Sequence, residues 1–269
     1  MPNTDLKGKT ALVTGASSGL GAAFARLLAA RGADVVVTAR REANLTALAA
    51  ELEKAHGVKV TVIALDLSEA SAPERLFAKT EGEGRGIDVL VNNAGGGLHR
   101  NFVDMTWDEA QRQIQLNVVS LTELTHRFAR AMLARKSGHI LNVSSIGAYT
   151  PTPTYATYAA GKAFVRDFSE AVAYELQGSG VHVCSLCPGG TLTEFHQAAG
   201  HELPSAFRKT FMTAEDCAQI GLSALFAGRR NIVSGILNNL SMFFLRLMPR
   251  RAMVWVSALT MGEPKKAGE

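Results

Sequence analysis

The feature that most constrains this chain is an alternation that runs along most of its length. Short β-branched and aliphatic runs are each followed by a longer stretch with apolar residues at helical spacing. TALVTG (Thr10 to Gly15), ADVVVTAR, KVTVIALD, IDVLVNNAG, HILNVSS and VHVCSLCPGG read as strands, with a short seventh run at Asn231–Ile236. Helical spacing marks Leu20 to Arg31, Glu42 to Ala55, Glu69 to about Thr80, Trp107 to Arg135, the stretch after Tyr158, and Ala214 to Ala227. Strands apolar on both faces must be covered on both faces, and intervening helices can do this only as right-handed crossovers between parallel strands. The pattern therefore predicts a doubly wound α/β fold with a seven-stranded, mostly parallel sheet. It also predicts one domain over residues 1–237 and an apolar, basic extension over 238–269 that ends in a flexible charged tail. Thr106 with Glu109 reads as a helix-capping box, and Thr213 with Asp216 approximates one.

Composition narrows the class. The 269 residues are 47% hydrophobic and 19% charged, which suits a sizeable core. The net charge of +4 is mild: it is compatible with an anionic small molecule and is no evidence for nucleic acid. The charged opening MPNTDLKGKT carries no signal-peptide core, and no run reaches the ~18 apolar residues of a membrane span. Three cysteines are too few for a disulfide framework, so a reducing, cytoplasmic setting is expected.

Between the first strand and the first helix lies Thr14-Gly15-Ala16-Ser17-Ser18-Gly19-Leu20-Gly21. Glycines there allow a tight turn and a close backbone approach to a pyrophosphate, whose charge the helix N-terminus favours. No Gly-Lys-Ser/Thr closes the turn, which sets a P-loop aside. After the second strand stand Arg40 and Arg41 rather than a carboxylate. A guanidinium matches a ribose 2′-phosphate, so this end reads as NADP(H)-binding, the other reading being a pair of solvated arginines.

Tyr158 and Lys162 are four apart on a helical stretch and share one face. A cation beside a phenol favours the phenolate and is expected to lower the tyrosine pKa from about 10. Taken alone, the pair reads equally well as a packed Tyr beside a solvated Lys.

Together these residues resemble the short-chain dehydrogenase/reductase family, a Rossmann-fold group, over roughly Leu6 to Ala227. The resemblance rests on motifs in family order: Thr14–Gly21, Asp66, Asn92-Asn93-Ala94-Gly95, Asn117, Ser145, Tyr158-x-x-x-Lys162 and Pro188-Gly189. It implies an NADP(H)-dependent oxidoreductase that reversibly reduces a ketone, aldehyde or 3-oxoacyl group to an alcohol. Tyr158 would be the general acid/base, Lys162 would tune it and hold the nicotinamide ribose, Ser145 would orient the substrate, and Asn117 would hold a water in the proton relay. Tyr155, with Ala159 rather than a lysine four residues on, is set aside. For the cofactor the resemblance implies Gly15, Ser17, Ser18, Gly19 and Leu20 in the glycine turn, with Arg40 and Arg41 at the 2′-phosphate. Asp66 and Leu67 would contact adenine; Asn92, Ala94 and Gly95 would wall the ribose; Pro188, Gly189, Thr191 and Thr193 would fix the carboxamide. Asn93 reads as structural, and no metal is required. A non-catalytic NADP(H) sensor on the same fold is the alternative, disfavoured because Asn117, Ser145, Tyr158 and Lys162 are all present.

Other features carry less. Cys184 and Cys187 read as packed core thiols, and His196 and His201 as surface residues. Leu192, Phe195, Leu203, Phe207 and Phe211 make the segment after the sixth strand greasy, which suggests a small lipophilic carbonyl substrate. The C-terminal stretch is apolar but punctuated by Arg246, Arg250 and Arg251, and departs from the common family tail. It could cover the substrate mouth, pack in a subunit interface or lie against a membrane as a peripheral contact. By resemblance, the helices over Trp107–Arg135 and Tyr158–Gln177 are expected to form a homodimer, with a homotetramer left open.

Overall fold

The computed structural model describes residues 4–201 and 211–261. Its centre is a sheet of seven parallel strands in the order β3-β2-β1-β4-β5-β6-β7. These are β1 (Thr10–Thr14), β2 (Asp34–Ala39), β3 (Val60–Ala64), β4 (Val89–Asn92), β5 (Gly138–Val143), β6 (Val181–Cys187) and β7 (Asn231–Val233). Six of the helices connecting and flanking them are α1 (Gly19–Ala29), α2 (Glu42–His56), α3 (Ala72–Ala78), α4 (Trp107–Ile114), α5 (Leu121–Arg135) and α6 (Ala156–Glu175). They are followed by α7 (Phe195–Ala198), α8 (Ala214–Phe226), α9 (Ile236–Leu245) and α10 (Arg250–Met261).

The sheet is buried on both faces, and the period of two along each strand sorts its side chains between two cores. Val13, Val35, Val37, Val91 and Leu141 pack with Phe24, Leu28, Leu45 and Leu222, beneath α1, α2 and α8. Leu12, Val36, Leu90, Ile140 and Val183 pack with Leu76, Leu124, Phe128 and Met132, beneath α3 and α5. The strands tolerate apolar residues at every position because both sides are covered.

The expected helix over Trp107–Arg135 is continuous but not uniform. The Thr106–Glu109 capping box forms as predicted, and Thr213 caps α8 by accepting the Asp216 N–H. Between α4 and α5, however, Gln115–Ser120 makes a π-helical turn that contains Asn117. Such turns recur at functional positions because the widened loop re-aims side chains. The seventh strand is shorter than expected: Gly235 adopts φ +88° and α9 begins at Ile236.

The extension is therefore two helices. α9 is stitched to the strand before it by Asn238 donating to Ser234 O at 2.7 Å and Asn239 donating to Val233 O at 2.8 Å. Met242 packs with Cys187 and Val233, while Leu237, Phe243, Phe244, Trp255 and Leu259 stay exposed. Among the described residues no helix is long and apolar enough to cross a membrane. The last eight residues, expected to be a flexible tail, lie outside the described residues.

Phe128 is fully buried between α5 and the sheet and meets Phe77 edge-on at 5.1 Å. Phe128→Ala should cost about 3–5 kcal/mol in denaturant unfolding; a loss below about 1 kcal/mol would mean the core closes around the gap.

Candidate active site

The strand order reverses between β1 and β4, and the carboxyl ends of these strands open a crevice there. Its floor is tied by one hydroxyl. Buried Thr14 Oγ1 accepts the N–H of Asn93 and of Ala94, both at 2.9 Å. Asn93 Nδ2 in turn donates to Thr14 O at 2.9 Å and to Gly15 O at 3.3 Å. The glycine turn is thus fastened to the loop after β4, and the structural reading of Asn93 holds.

Two glycines have no room for a side chain. A Cβ on Gly21 would collide with Gly15 O and stand 2.7 Å from Asn93 Nδ2; one on Gly15 would stand 2.9 Å from Ala94 Cα. Gly15 and Gly19 also adopt φ +66° and +52°. Close approach of α1 to β1 follows, with the α1 N-terminus facing the crevice. Ser18 is the α1 N-cap residue, yet its side chain makes no cap hydrogen bond.

At the ribose end, Arg41 donates from Nε to Ser17 Oγ at 3.2 Å and from NH2 to Ser18 Oγ at 2.6 Å. Both of its terminal nitrogens reach Glu194 Oε2 at 3.1 Å. Arg40 is exposed. Asp66 accepts from Ser68 N and Oγ at 2.9 and 2.7 Å. Burial pushes its carboxyl up, but those bonds and the charges of Arg40 and Arg112 outweigh it and hold the pKa below its usual value. Leu67 is buried, and its carbonyl accepts from Ser120 Oγ at 2.6 Å. The Asn92 side chain turns inward, donating to Asn142 Oδ1 at 2.9 Å and Thr125 Oγ1 at 3.1 Å.

At the other end of the crevice, Asn117 clamps Gly96 through Nδ2 to Gly96 O at 2.8 Å and Gly96 N to Oδ1 at 3.1 Å. Gly95 fits against both Asn117 and Lys162, since a Cβ there would stand 2.8 Å from Oδ1 and 3.2 Å from Nζ. Lys162 is buried and donates to Val143 O at 2.8 Å, with Nζ 5.7 Å from the centre of the Tyr158 ring. Ser145, at the end of β5, accepts from Gly147 N at 3.0 Å and hydrogen-bonds the Tyr158 hydroxyl. Ser144 instead donates to Lys162 O, which pins α6 to β5. Phe195 lies 5.1 Å from the Tyr158 ring, centre to centre. Downstream of β6, Pro188 O accepts from Ile146 N, Gly189 N donates to Ser234 Oγ, and Thr191 Oγ1 donates to Gly189 O. Thr193 packs against Gly19, closing the distance between this segment and the glycine turn.

The electrostatics differ from the sequence expectation. Lys162 was expected to draw the Tyr158 pKa down, but burial dominates and pushes the phenol up to about 12, against the opposing Ser145 hydrogen bond. Burial also pushes the Lys162 ammonium down to about 8. Both groups are enclosed, so each favours its neutral form more than a solvent-exposed group would.

One further reading changes. His201 is not a surface residue: it is buried, and its Nδ1 lies 3.1 Å from the Tyr155 hydroxyl. Its ring stacks on His99 at 4.0 Å, and a hydrogen bond to the Met261 backbone ties it to the end of α10. Tyr155 sits edge-on to Tyr158 at 5.9 Å and forms the wall behind it. The cysteines behave as expected: Cys184, Cys187 and Cys217 are buried, and burial holds Cys184 as a thiol by pushing it up to about 12. Among the described residues no cluster of His, Cys, Asp and Glu could hold a metal. Leu203 and Phe207, expected in the greasy lid, lie outside the described residues.

Sequence reasoning missed Glu194 and the His99–His201 stack. Nothing in local spacing marks them, because their partners are distant along the chain. Thr14 was legible as part of the glycine motif, but not as the tie between two strands.

Comparison with known proteins gives a consistent picture. The short chain dehydrogenase family model matches residues 9–204. The 7beta-hydroxysteroid dehydrogenase of Collinsella aerofaciens is 35% identical over 234 residues, 83% of this chain and 88% of that protein. A solved 7beta-hydroxysteroid dehydrogenase structure superposes with a TM-score of 0.87 at 30% identity, covering 96% of this chain and 99% of the other. A short-chain dehydrogenase from Sphingobium yanoikuyae in complex with NADPH gives a TM-score of 0.79 at 30% identity, covering 90% and 97%.

The collision at Gly21 yields a direct test. Gly21→Ala should destabilise the chain by about 1–3 kcal/mol, read as a lower denaturant midpoint. An unchanged midpoint would show that α1 can retreat from β1.

Proposed function

Because the chain belongs to the short-chain dehydrogenase family and is an oxidoreductase that uses a nicotinamide cofactor, we propose that it reduces a lipophilic ketone with NADPH. The observation that carries this reading is the Tyr158 hydroxyl bonded to Ser145, with Lys162 one helical turn away. Two hydroxyls can then converge on one carbonyl oxygen, where negative charge develops. When bound, the nicotinamide supplies the hydride for reduction.

The residues divide that work. Ser145 orients the carbonyl oxygen, and Tyr158 gives it a proton. Lys162, held by Val143 O, keeps a positive charge near the phenol and supports the phenolate that proton transfer leaves behind. Asn117 keeps Gly96, and with it the loop after β4, at a fixed distance from Lys162. With its pKa near 12, Tyr158 holds its proton at neutral pH, which is the form that can give a proton to the carbonyl oxygen. The glycine turn fits a pyrophosphate, for it cannot carry side chains where backbone must approach. Arg40 and Arg41 beside that turn favour a 2′-phosphate over a bare ribose, which supports NADP(H) over NAD(H).

On the substrate side, Phe195 covers Tyr158 and a relative is a 7beta-hydroxysteroid dehydrogenase, so a large apolar ketone suits the site best. The His201–Met261 bond brings the extension to this wall, which supports mouth-covering over membrane contact as its role. For assembly, the α5–α6 face carries an apolar groove of about 740 Å³ with Val119, Phe164 and Phe168 along it, which suits a homodimer formed through these helices.

Tyr158→Phe should reduce turnover by about 10²- to 10⁴-fold while leaving NADPH affinity nearly intact; retained turnover would remove the assignment. Reduction requires the phenol proton and the lysine charge. Its kcat/KM should therefore hold on the acid side and fall as pH rises through about 8, where Lys162 deprotonates. Alcohol oxidation, which needs Tyr158 as a base, should rise with pH instead. A matched set of polar and apolar ketones should show preference for the bulky apolar members, and a preference for sugars would overturn the substrate reading.

A further inference from the structure

The Arg41 fork is already engaged within the chain. Two of its nitrogens hold Glu194 Oε2 at 3.1 Å, and the same side chain reaches Ser17 and Ser18 on the glycine turn. Ser18 Oγ accepts from Arg41 and makes no cap bond to α1, so it stands with the Arg41–Glu194 pair, and its hydroxyl helps to lower the Glu194 pKa. A carboxylate from another part of the chain thus stands among the donors that an incoming phosphate would use.

Glu194 also sits at a junction. The residue before it, Thr193, packs on Gly19 of the glycine turn; the residue after it, Phe195, lies over Tyr158. Glu194 immediately precedes α7 without capping it through its side chain, and the chain beyond leads to Ala199, whose carbonyl accepts the His99 N–H at 2.9 Å. Holding or releasing Glu194 therefore bears on the segment that spans both ends of the crevice.

We propose that Glu194 is a cofactor-discriminating residue, an internal anion that occupies Arg41 until the 2′-phosphate of NADP(H) displaces it. The proposal rests on the NADP(H) reading above and deepens it. The Arg41–Glu194 pair is about half exposed on each side, so its own contribution is small and it can be exchanged. A 2′-phosphate brings more charge and three acceptor oxygens and can take the fork from a single carboxylate. A ribose with a free 2′-hydroxyl brings no charge, so NADH leaves the pair closed. Glu194 then acts in two ways. It competes with the phosphate for Arg41, and once displaced it lets the segment over Tyr158 reposition while the cofactor binds.

The test is direct binding to the full chain, read from the fluorescence of the reduced nicotinamide, with NADPH and NADH as separate probes. Glu194→Gln keeps the size of the side chain and removes its charge. It should tighten NADPH by about three- to tenfold and change NADH by less than about twofold. In an Arg41→Ala background the same substitution should change neither cofactor, since the fork it competes for is gone. A Glu194→Gln chain whose NADPH-to-NADH affinity ratio equals that of the unsubstituted chain would overturn the gate and leave the NADP(H) reading standing. An unsubstituted chain that binds NADH more tightly than NADPH would overturn the reading itself, and the gate with it. The Glu194 side chain is 59% exposed, so the substitution leaves the core untouched, and a circular dichroism spectrum matching that of the unsubstituted chain checks the folding.

Discussion

Everything at the candidate site hangs from the buried hydroxyl of Thr14. It accepts two backbone N–H groups from the loop after β4, and Asn93 returns a bond to the Thr14 carbonyl. These bonds join the ends of two parallel strands at the place where the sheet order reverses. Two chains leaving adjacent strands in opposite directions would otherwise expose unpaired backbone groups at the crevice floor. With those groups satisfied, the glycine turn can bring α1 close, and the loop that follows Asn93 can run on to Gly95 and Gly96. Asn117 and Lys162 then have fixed neighbours.

The catalytic end shows how burial reshapes chemistry that spacing alone suggests. The i, i+4 placement of Tyr158 and Lys162 does put both on one face of α6. The cation, however, spends a hydrogen bond on Val143 O and stands beside the ring rather than at the hydroxyl. Burial then raises the phenol and lowers the ammonium. A partly buried acid that keeps its proton is suited to giving it to a carbonyl oxygen. The same enclosure makes the Ser145 hydroxyl important, since it is the interaction that works against the rise.

Beyond the sheet, chain segments remote in sequence close the site. Glu194 reaches the glycine turn, Phe195 covers Tyr158, and His201 links the Tyr155 wall to the end of α10. Among the described residues, the C-terminal extension is two helices, and no helix is long and apolar enough to cross a membrane. Its two helices bury Met242 and Met253 and leave much of their apolar surface exposed. A histidine that reads as a surface residue by composition becomes part of the active-site wall because a helix sixty residues later lies over it.

The sequence by itself determined the layered α/β architecture, the number of strands and their near boundaries, because buried parallel strands and crossover helices leave periods of two and 3.6 in the residues themselves. It also determined the glycine turn, the Thr106–Glu109 capping box, the Thr213 cap and the Tyr158–Lys162 face, each of which is a local pattern. Only the tertiary structure decided that the long helix carries a π turn at Asn117, that Asn92 points into the core and that Glu194 meets Arg41. It alone decided the direction in which the tyrosine titrates. Local spacing records torsions and periodicity, whereas contacts between distant segments and the desolvation of a charged group depend on what the rest of the chain packs around them.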